Sequence, residues 1–313
     1  MPEFYDQSYN DSIPLDWWES SWRPSKWAYK KPDAPEWGNS NYYTTSQTSA
    51  GNLACVVNNV YLQVCYFKAC GWAFKPILAL CGNFQRESNN NPSNWEYPYP
   101  DSWTWNGVWT HGHGQDKGFG LAQWTPSQTQ YHLPARNAWG DNDPWFPVYY
   151  NGWYQVYFLA SEVFGYPRSQ WVKHSAGQGH NPATTSPYYP NYPGLYPTYN
   201  FRIEYKDFAA GVIGDNNVPN TDLDKLNYLT ECFYWDYEKV ADYEYDYTLS
   251  ARQANARSYY TYLEPIFGDF TSTTDKVIQP SKPGPNFGLS DIGGIPKWML
   301  AILARRNPRY RII

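Results

Sequence analysis

The chain has 313 residues, a formal net charge of -5 and only 17% charged residues. Proteins dedicated to nucleic acid are usually basic, so this balance excludes nucleic acid as the expected partner. No run approaches the ~18 apolar residues of a transmembrane helix, and the sequence favours a soluble protein in which 20% of the residues are aromatic.

The N-terminal sequence MPEFYDQSYNDSIP lacks the basic and apolar regions of a signal peptide. The five cysteines are odd in number and form no C-x-x-C pair, which favours buried thiols over a disulfide framework or a zinc site. We therefore expect no cofactor.

Residues 1–50 are predicted to form an aromatic-rich extended N-terminal arm. Its five tryptophans show neither the period of a strand nor that of a helix, which indicates a segment that becomes ordered by docking onto another surface. These tryptophans are Trp17, Trp18, Trp22, Trp27 and Trp37.

Helical spacing of apolar residues begins after the arm. The pattern predicts helices at 52–70, 76–87 and 151–164. Thr221 is a candidate N-cap for a further helix, and Ser250 for another that runs to about residue 263. The asparagine-rich segment after the second helix and the Gly, Pro and Trp residues that follow it predict loops.

Two later segments have the composition of loops and linkers. The Pro- and Tyr-rich insertion at 166–200 is predicted to be a long loop or lid. The compact part is expected to end near residue 270, and 271–313 is a linker followed by a basic, amphipathic C-terminal segment. That segment fits either a docking peg for a neighbouring protein or a contact with an anionic membrane surface.

The most informative residues form two blocks, ILALCGNFQRESNNNPSNWE at 77–96 and GFGLAQWTP at 118–126. Together they resemble the phage tail lysozyme family and, more loosely, the lytic transglycosylases. The resemblance implies a mainly α (α+β) fold: a lysozyme-like helical domain at 51–270 with a cleft lined by loops or a hairpin, flanked by extended N- and C-terminal segments.

Cleavage of a glycosidic bond requires a carboxyl group that stays protonated near neutral pH, which an apolar pocket favours. Glu87 follows an apolar helix face, and the resemblance implies that it is the general acid. For the second carboxylate, Glu96 is the first candidate, with Asp101 and Asp116 as alternatives, although some lysozyme-like enzymes use none.

The resemblance also implies substrate-binding residues near Glu87. Gln123 would line the cleft and bind an acetamido group or the attacking water. Gly118 and Gly120 would allow the backbone to approach the sugar closely, since they carry no Cβ. Trp95 is a candidate sugar-binding ring, and Trp124 fits either sugar stacking or the core.

Other chemistries have weaker support in the sequence. His111, His113 and Asp116 offer nitrogen and oxygen donors, but no further ligands complete a metal site, and none is predicted. Cys81 falls on an apolar helix face, which favours core packing over a nucleophilic role. The segment G-F-G-L lacks the Lys and Ser/Thr of a phosphate-binding loop.

The expected function is that of a virion-associated muramidase, which cleaves the MurNAc–GlcNAc β-1,4 bond of peptidoglycan and aids genome entry. The alternatives are a lytic transglycosylase acting on the same bond and a structural virion protein that only binds glycan. The expected partners are peptidoglycan glycan strands and other virion proteins of the tail or an internal component, contacted through the arm and the C-terminal segment.

Overall fold

The computed structural model describes residues 6–30, 43, 48–94, 118–124, 131, 151–167, 169–171, 173, 203–213, 221–238 and 245–281. The helices are α1 Gln7–Ser12, α2 Ser49–Ala69, α3 Phe74–Ser88, α4 Gly152–Glu162, α5 Tyr205–Ala210, α6 Asp222–Phe233 and α7 Tyr245–Phe267. Two 3₁₀ turns, Trp17–Glu19 and Thr274–Lys276, and one π-helical turn, Tyr234–Glu238, are also present.

The mainly helical prediction is confirmed. Within the described ranges, the extended pairing is an isolated antiparallel bridge between Phe119 and Trp124, and no strand is formed. The residues expected to form a hairpin or loop wall around the cleft, 95–117, lie outside the described residues. None of the described helices combines the length and the apolar content needed to cross a membrane.

Most predicted helix positions are confirmed by α2, α3, α4 and α6. Thr221 caps α6, because its Oγ1 accepts a hydrogen bond from the backbone N–H of Asp224 at 3.2 Å. The prediction that Ser250 begins a helix is wrong, since α7 begins at Tyr245. Ser250 is exposed, so its hydroxyl faces water and the helix continues past it at little cost.

The core is organised around α3, which packs against α2, α6 and α7. Its apolar residues from Ile77 to Cys81 are fully buried on successive faces, as expected of a helix surrounded by other helices. The five cysteines are free thiols; four of them are buried and Cys65 is partly buried, which confirms their predicted structural character.

A glycine allows α7 to approach α3 closely. A Cβ at Gly82 would lie 2.6 Å from the carbonyl oxygen of Arg252 and 2.8 Å from the Cβ of Ala256. Since Cβ atoms are not found at such distances, the close packing requires glycine here. This contact places Arg252 opposite the C-terminal half of α3.

The described part of the N-terminal arm, residues 6–30, packs on the helices of its own chain. Trp17 is fully buried, and its Nε1 donates a hydrogen bond to the carbonyl of Ala54 in α2 at 3.0 Å. The ring of Trp18 lies 4.8 Å from the ring of Tyr262 in α7. The arm is not extended throughout, because Asp6 caps α1 by accepting from the N–H of Tyr9.

The compact part continues past residue 270. The N–H of Ile278 donates to the carbonyl of Cys70 at 3.0 Å, and Val277 is buried. Gly71 has a φ of 80°, and a Cβ there would lie 1.9 Å from the carbonyl oxygen of Lys276. The C-terminal segment from 282 onward and nearly all of the 166–200 insertion lie outside the described residues.

Candidate active site

The backbone at the end of α3 is held in an unusual conformation. Asn89 and Asn90 follow Ser88 with φ values of 55° and 53°, in the left-handed region that asparagine tolerates better than most residues. The side chain of Asn90 is buried, donates to the carbonyl of Cys81 at 3.1 Å and accepts from Nε2 of Gln63 at 3.0 Å. These bonds fix the turn that follows Glu87.

Glu87 forms an ion pair with Arg252 of α7. Oε1 of Glu87 accepts a hydrogen bond from Nη2 of Arg252, and the two side chains are 22% and 3% exposed, respectively. Nη1 of Arg252 donates to the carbonyl and to Oδ1 of Asn83, at 3.3 and 3.2 Å. The guanidinium also lies 5.0 Å from the ring centroid of Tyr234. The carboxyl group is therefore partly open to solvent, while its cationic partner is buried and held from three sides.

A second carboxyl group, that of Glu238, interacts with this pair. Its Oε1 is buried, and within the described part of the chain it has no hydrogen-bond partner. Burial and the negative charge of Glu87 raise the pKa of Glu238 well above its usual range, and Arg252 opposes this. Burial lowers the pKa of Arg252, but Glu87 and Glu238 outweigh it and raise the value overall. Arg252 thus acts electrostatically on both carboxyl groups, while its hydrogen bond to a carboxyl group is to Glu87.

The loop 118–124 lies against the end of α3. Ser88 Oγ donates to the carbonyl of Leu121 at 2.9 Å, and the N–H of Gly120 donates to the carbonyl of Asn94 at 2.9 Å. Nδ2 of Asn94 in turn reaches the backbone carbonyl of Glu87 at 3.4 Å. The two sequence blocks that carry the resemblance are therefore neighbours in the fold.

Gln155 of α4 holds the two blocks together. Its Oε1 accepts from the N–H of Leu121 at 2.8 Å, and its Nε2 donates to the carbonyl of Pro92 at 2.7 Å. Sequence reasoning missed this fully buried residue, because α4 is buried on all faces and its polar position has no distinguishing period. A glutamine among the aromatic and apolar residues at the start of this helix was the signal available.

Gln123 and the two glycines occupy the same loop. Gln123 has a φ of 43°, is partly exposed, and its Nε2 donates to the carbonyls of Asn94 and Gly120 at 3.1 and 3.0 Å. Gly118 is buried. A Cβ at Gly120 would lie 2.7 Å from Oε1 of Gln155, so the small size of Gly120 accommodates the protein's own packing.

Trp124 lies in the core, although it was a candidate for stacking on sugar. It is 2% exposed and stacks on Tyr131 with the ring centroids 4.4 Å apart. Its Nε1 donates to the hydroxyl of Tyr237 at 3.0 Å, and that hydroxyl donates to Oε2 of Glu162 at 2.5 Å. A ring enclosed in this way has no face available to a glycan, so the substrate-binding interpretation of Trp124 is corrected to a structural one.

Several sequence-based candidates lie outside the described residues: Trp95, Glu96, Asp101, His111, His113 and Asp116. Cys81 is described and fully buried, and burial raises the pKa of its thiol well above its usual range. Such a thiol stays protonated and is a poor nucleophile. In the portion of the chain described, no group of three or more His, Cys, Asp or Glu residues is arranged to hold a metal ion.

Comparison with known families supports the sequence resemblance. Residues 58–186 match the family model described as Phage tail lysozyme. Over these residues the chain is similar to the phage tail lysozyme family. The match includes Glu87 and the loop 118–124, and it supports a lysozyme-like, glycan-cleaving function associated with a phage particle. Arg252 and Glu238 follow the matched phage tail lysozyme region in the chain. A search of curated proteins found no match.

Proposed function

We propose that the chain is a muramidase that hydrolyses the MurNAc–GlcNAc β-1,4 bond of peptidoglycan, with Glu87 as the general acid. The observation that carries the proposal is the position of Glu87. It is a partly exposed carboxyl group at the end of a buried helix, beside the loop 118–124 and within the family match.

In the proposed reaction, Glu87 donates the proton that the breaking of a glycosidic bond requires. The leaving oxygen must receive a proton as the bond to the anomeric carbon lengthens. Glu87 then becomes an anion, and the guanidinium of Arg252 stabilises that anion through a charge-assisted hydrogen bond. Because Asn83 and Tyr234 hold Arg252 in place, little reorganisation is needed when the charge appears.

The second carboxylate and the substrate contacts belong to the same proposal. Glu96 is the first candidate for the general base or nucleophile, followed by Asp101 and Asp116. Gln123 is proposed to bind the glycan or the attacking water, since it is partly exposed in the loop beside Glu87. Trp95 is proposed as a ring that stacks on sugar.

We also propose that the protein acts as part of a virion. The peptidoglycan strand is the substrate, and the remainder of the arm and the C-terminal segment attach the domain to other virion proteins. Co-sedimentation with anionic liposomes, comparing the full chain with a 1–285 fragment, tests the alternative membrane contact. Binding by the full chain but not by the fragment would show that the C-terminal segment contacts the membrane surface. The proposal that this segment docks onto other virion proteins would then be abandoned.

The experiment for the catalytic role compares Glu87→Gln with Glu19→Gln. Glu19 is exposed on a 3₁₀ turn of the arm, so its variant controls for the loss of one negative charge. We expect Glu87→Gln to lose about 100-fold or more of the rate of sacculus digestion, since it cannot donate the proton. Circular dichroism and thermal unfolding establish that both variants fold. Equal digestion by the wild type and Glu87→Gln would overturn the assignment.

Mass spectrometry of the products identifies the reaction. Hydrolysis leaves reducing MurNAc ends, whereas anhydro-muropeptides would assign the chain as a lytic transglycosylase. A wild type that binds sacculi without releasing fragments would instead be a structural, glycan-binding protein.

A further inference from the structure

The turn that follows Glu87 has a strained backbone that other segments hold in place. Two successive residues, Asn89 and Asn90, lie in the left-handed region with φ values of 55° and 53°. This region is unfavourable for residues other than glycine, and asparagine lowers that cost without removing it. Such a conformation persists only where the surrounding structure fixes it. The hydrogen bonds of this turn therefore help to set the orientation of the last turn of α3, which carries Glu87.

Two carbonyl groups of the strained turn are bonded by side chains from elsewhere in the chain. The carbonyl of Asn89 accepts a hydrogen bond from the hydroxyl of Tyr43, a residue 46 positions away in the sequence. The carbonyl of Asn90 accepts from Nδ2 of Asn59 in α2 at 2.9 Å. Tyr43 is 1% exposed and Asn59 is fully buried, so water has little access to either bond. The first of these bonds comes from the N-terminal arm.

The arm and the turn share further hydrogen bonds. The N–H of Lys30 donates to Oδ1 of Asn91 at 3.2 Å, and Oγ of Ser93 donates to the carbonyl of Lys30 at 3.3 Å. Asn59 also binds the arm, because its Oδ1 accepts from the N–H of Ala28 at 2.8 Å and its Nδ2 donates to the carbonyl of the same residue at 2.7 Å. The arm is therefore fixed on α2 where it meets the turn.

The backbone of Tyr43 is itself held by two helices. Its N–H donates to Oδ1 of Asn52 in α2 at 2.6 Å, and its carbonyl accepts from Nδ2 of Asn10 in α1 at 2.7 Å. Because both backbone groups are bonded and the side chain is buried, the hydroxyl has a defined position. The bond from this hydroxyl to the carbonyl of Asn89 can therefore fix the strained turn.

We propose that Tyr43 is a positioning residue of the Glu87 site. By holding the Asn89 carbonyl, its hydroxyl keeps the end of α3 in the orientation that places the Glu87 carboxyl group against Arg252. Without the hydroxyl, the turn relaxes its strain, and the carboxyl group is misplaced relative to the glycosidic bond. This inference rests on the proposed function of Glu87 as the general acid.

The test compares Tyr43→Phe with Tyr9→Phe in the full-length chain. Each variant loses one tyrosine hydroxyl of the arm, but that of Tyr9 bonds to Oδ1 of Asn58 in α2, at 2.8 Å, instead of to the turn. We expect kcat for sacculus digestion, calculated per folded molecule, to fall about tenfold or more in Tyr43→Phe, because proton transfer is sensitive to misplacement. KM should be unchanged, since glycan binding is retained. Tyr9→Phe should keep the wild-type kcat and KM.

Circular dichroism at the assay temperature gives the folded fraction of each variant. Equal kcat values for the two variants, whatever the change in KM, would overturn the inference. If Tyr43→Phe does not fold, Tyr43→Met is measured in the same way, since the flexible methionine fills the site without a hydroxyl. Failure of both to fold would show that the hydroxyl serves the fold as a whole, and would also overturn the inference.

Glu87→Gln separates this inference from the proposed function. If Glu87→Gln digests sacculi like the wild type, the proposed function fails. If it is inactive and Tyr43→Phe matches Tyr9→Phe in kcat, only the positioning role of Tyr43 fails.

Discussion

Ser88 Oγ, at the last residue of α3, donates a hydrogen bond to the carbonyl oxygen of Leu121 at 2.9 Å. The bond spans 33 residues of sequence and joins the neighbour of Glu87 to the loop 118–124. The same hydroxyl reaches the carbonyl of Phe84 one turn earlier, at 3.1 Å. The position of the loop relative to Glu87 therefore depends on a side chain next to the proposed acid.

We predict that Ser88→Ala impairs digestion more than stability. Loss of the buried hydrogen bonds should lower the free energy of unfolding by about 1 kcal/mol, as measured by urea denaturation. The digestion rate should fall about tenfold or more, since the loop is no longer held beside Glu87. Ser258→Ala is the control, because Ser258 is exposed and its hydroxyl makes the same kind of bond to the carbonyl four residues earlier. Equal rates for the two variants would contradict the prediction.

Removing the cation that pairs with Glu87 should affect both the fold and the activity. We predict that Arg252→Met lowers the free energy of unfolding by about 3 kcal/mol, near the lower end for a broken buried pair, because Glu87 keeps some contact with water. Digestion of sacculi should be lost as well. Arg257→Met is the comparison, since Arg257 of the same helix is only partly buried and donates to Oδ1 of Asn227. A similar loss of free energy of unfolding in both variants would argue against a stabilising role of the Arg252–Glu87 pair.

The stability of Glu238→Gln should depend on pH differently from that of the wild type. The raised pKa of Glu238 means that the folded chain keeps a proton that the unfolded chain releases above about pH 4.3. The wild type therefore loses free energy of unfolding as the pH rises through this window, up to the raised pKa. Glutamine has no such proton, so the stability of the variant relative to the wild type should increase with pH. Urea denaturation at several pH values measures this, and parallel curves would contradict it.

The docked arm should contribute to the stability of the helical domain. We predict that Trp17→Ala lowers the free energy of unfolding by about 3–5 kcal/mol, because it empties a fully buried site and removes the bond to the Ala54 carbonyl. Leu15→Ala is the control, since Leu15 is 56% exposed and should change stability by less than about 0.5 kcal/mol. Urea denaturation of both variants gives the comparison. If the arm instead detaches before the domain unfolds, denaturation should show a separate early transition. Trp17→Ala would then lower the free energy of unfolding of the domain much less.

Local sequence signals predict much of the helical fold. The apolar spacing of α2 and α3 and the cap at Thr221 depend on residues within one or two turns, so they can be recognised without tertiary information. The start of α7 was missed because packing against α3 carries the helix through Ser250. Helix α1 was missed because it is only six residues long and lies within a segment that has no apolar period.

The candidate site was predictable only in part. Glu87 and the loop 118–124 lie in the blocks that resemble a known family, whereas Arg252 contacts Glu87 from a distant part of the chain. Such contacts depend on how closely the helices approach each other. Gly82 permits the close approach, but the sequence does not show which residues will pack against it. Long-range polar contacts of this kind leave no local periodicity.

Residues 271–278 run back to the end of α2. A fragment that folds as this domain does should therefore include them. Composition places a linker after residue 270, and a fragment cut there would leave the carbonyl of Cys70 without the N–H of Ile278. It would also uncover the site that Val277 fills and the contact between Ser272 and the Gly71 carbonyl. The helical domain is therefore closed by a C-terminal segment that has the composition of a linker, and fragments made for biochemical work should keep residues 271–278.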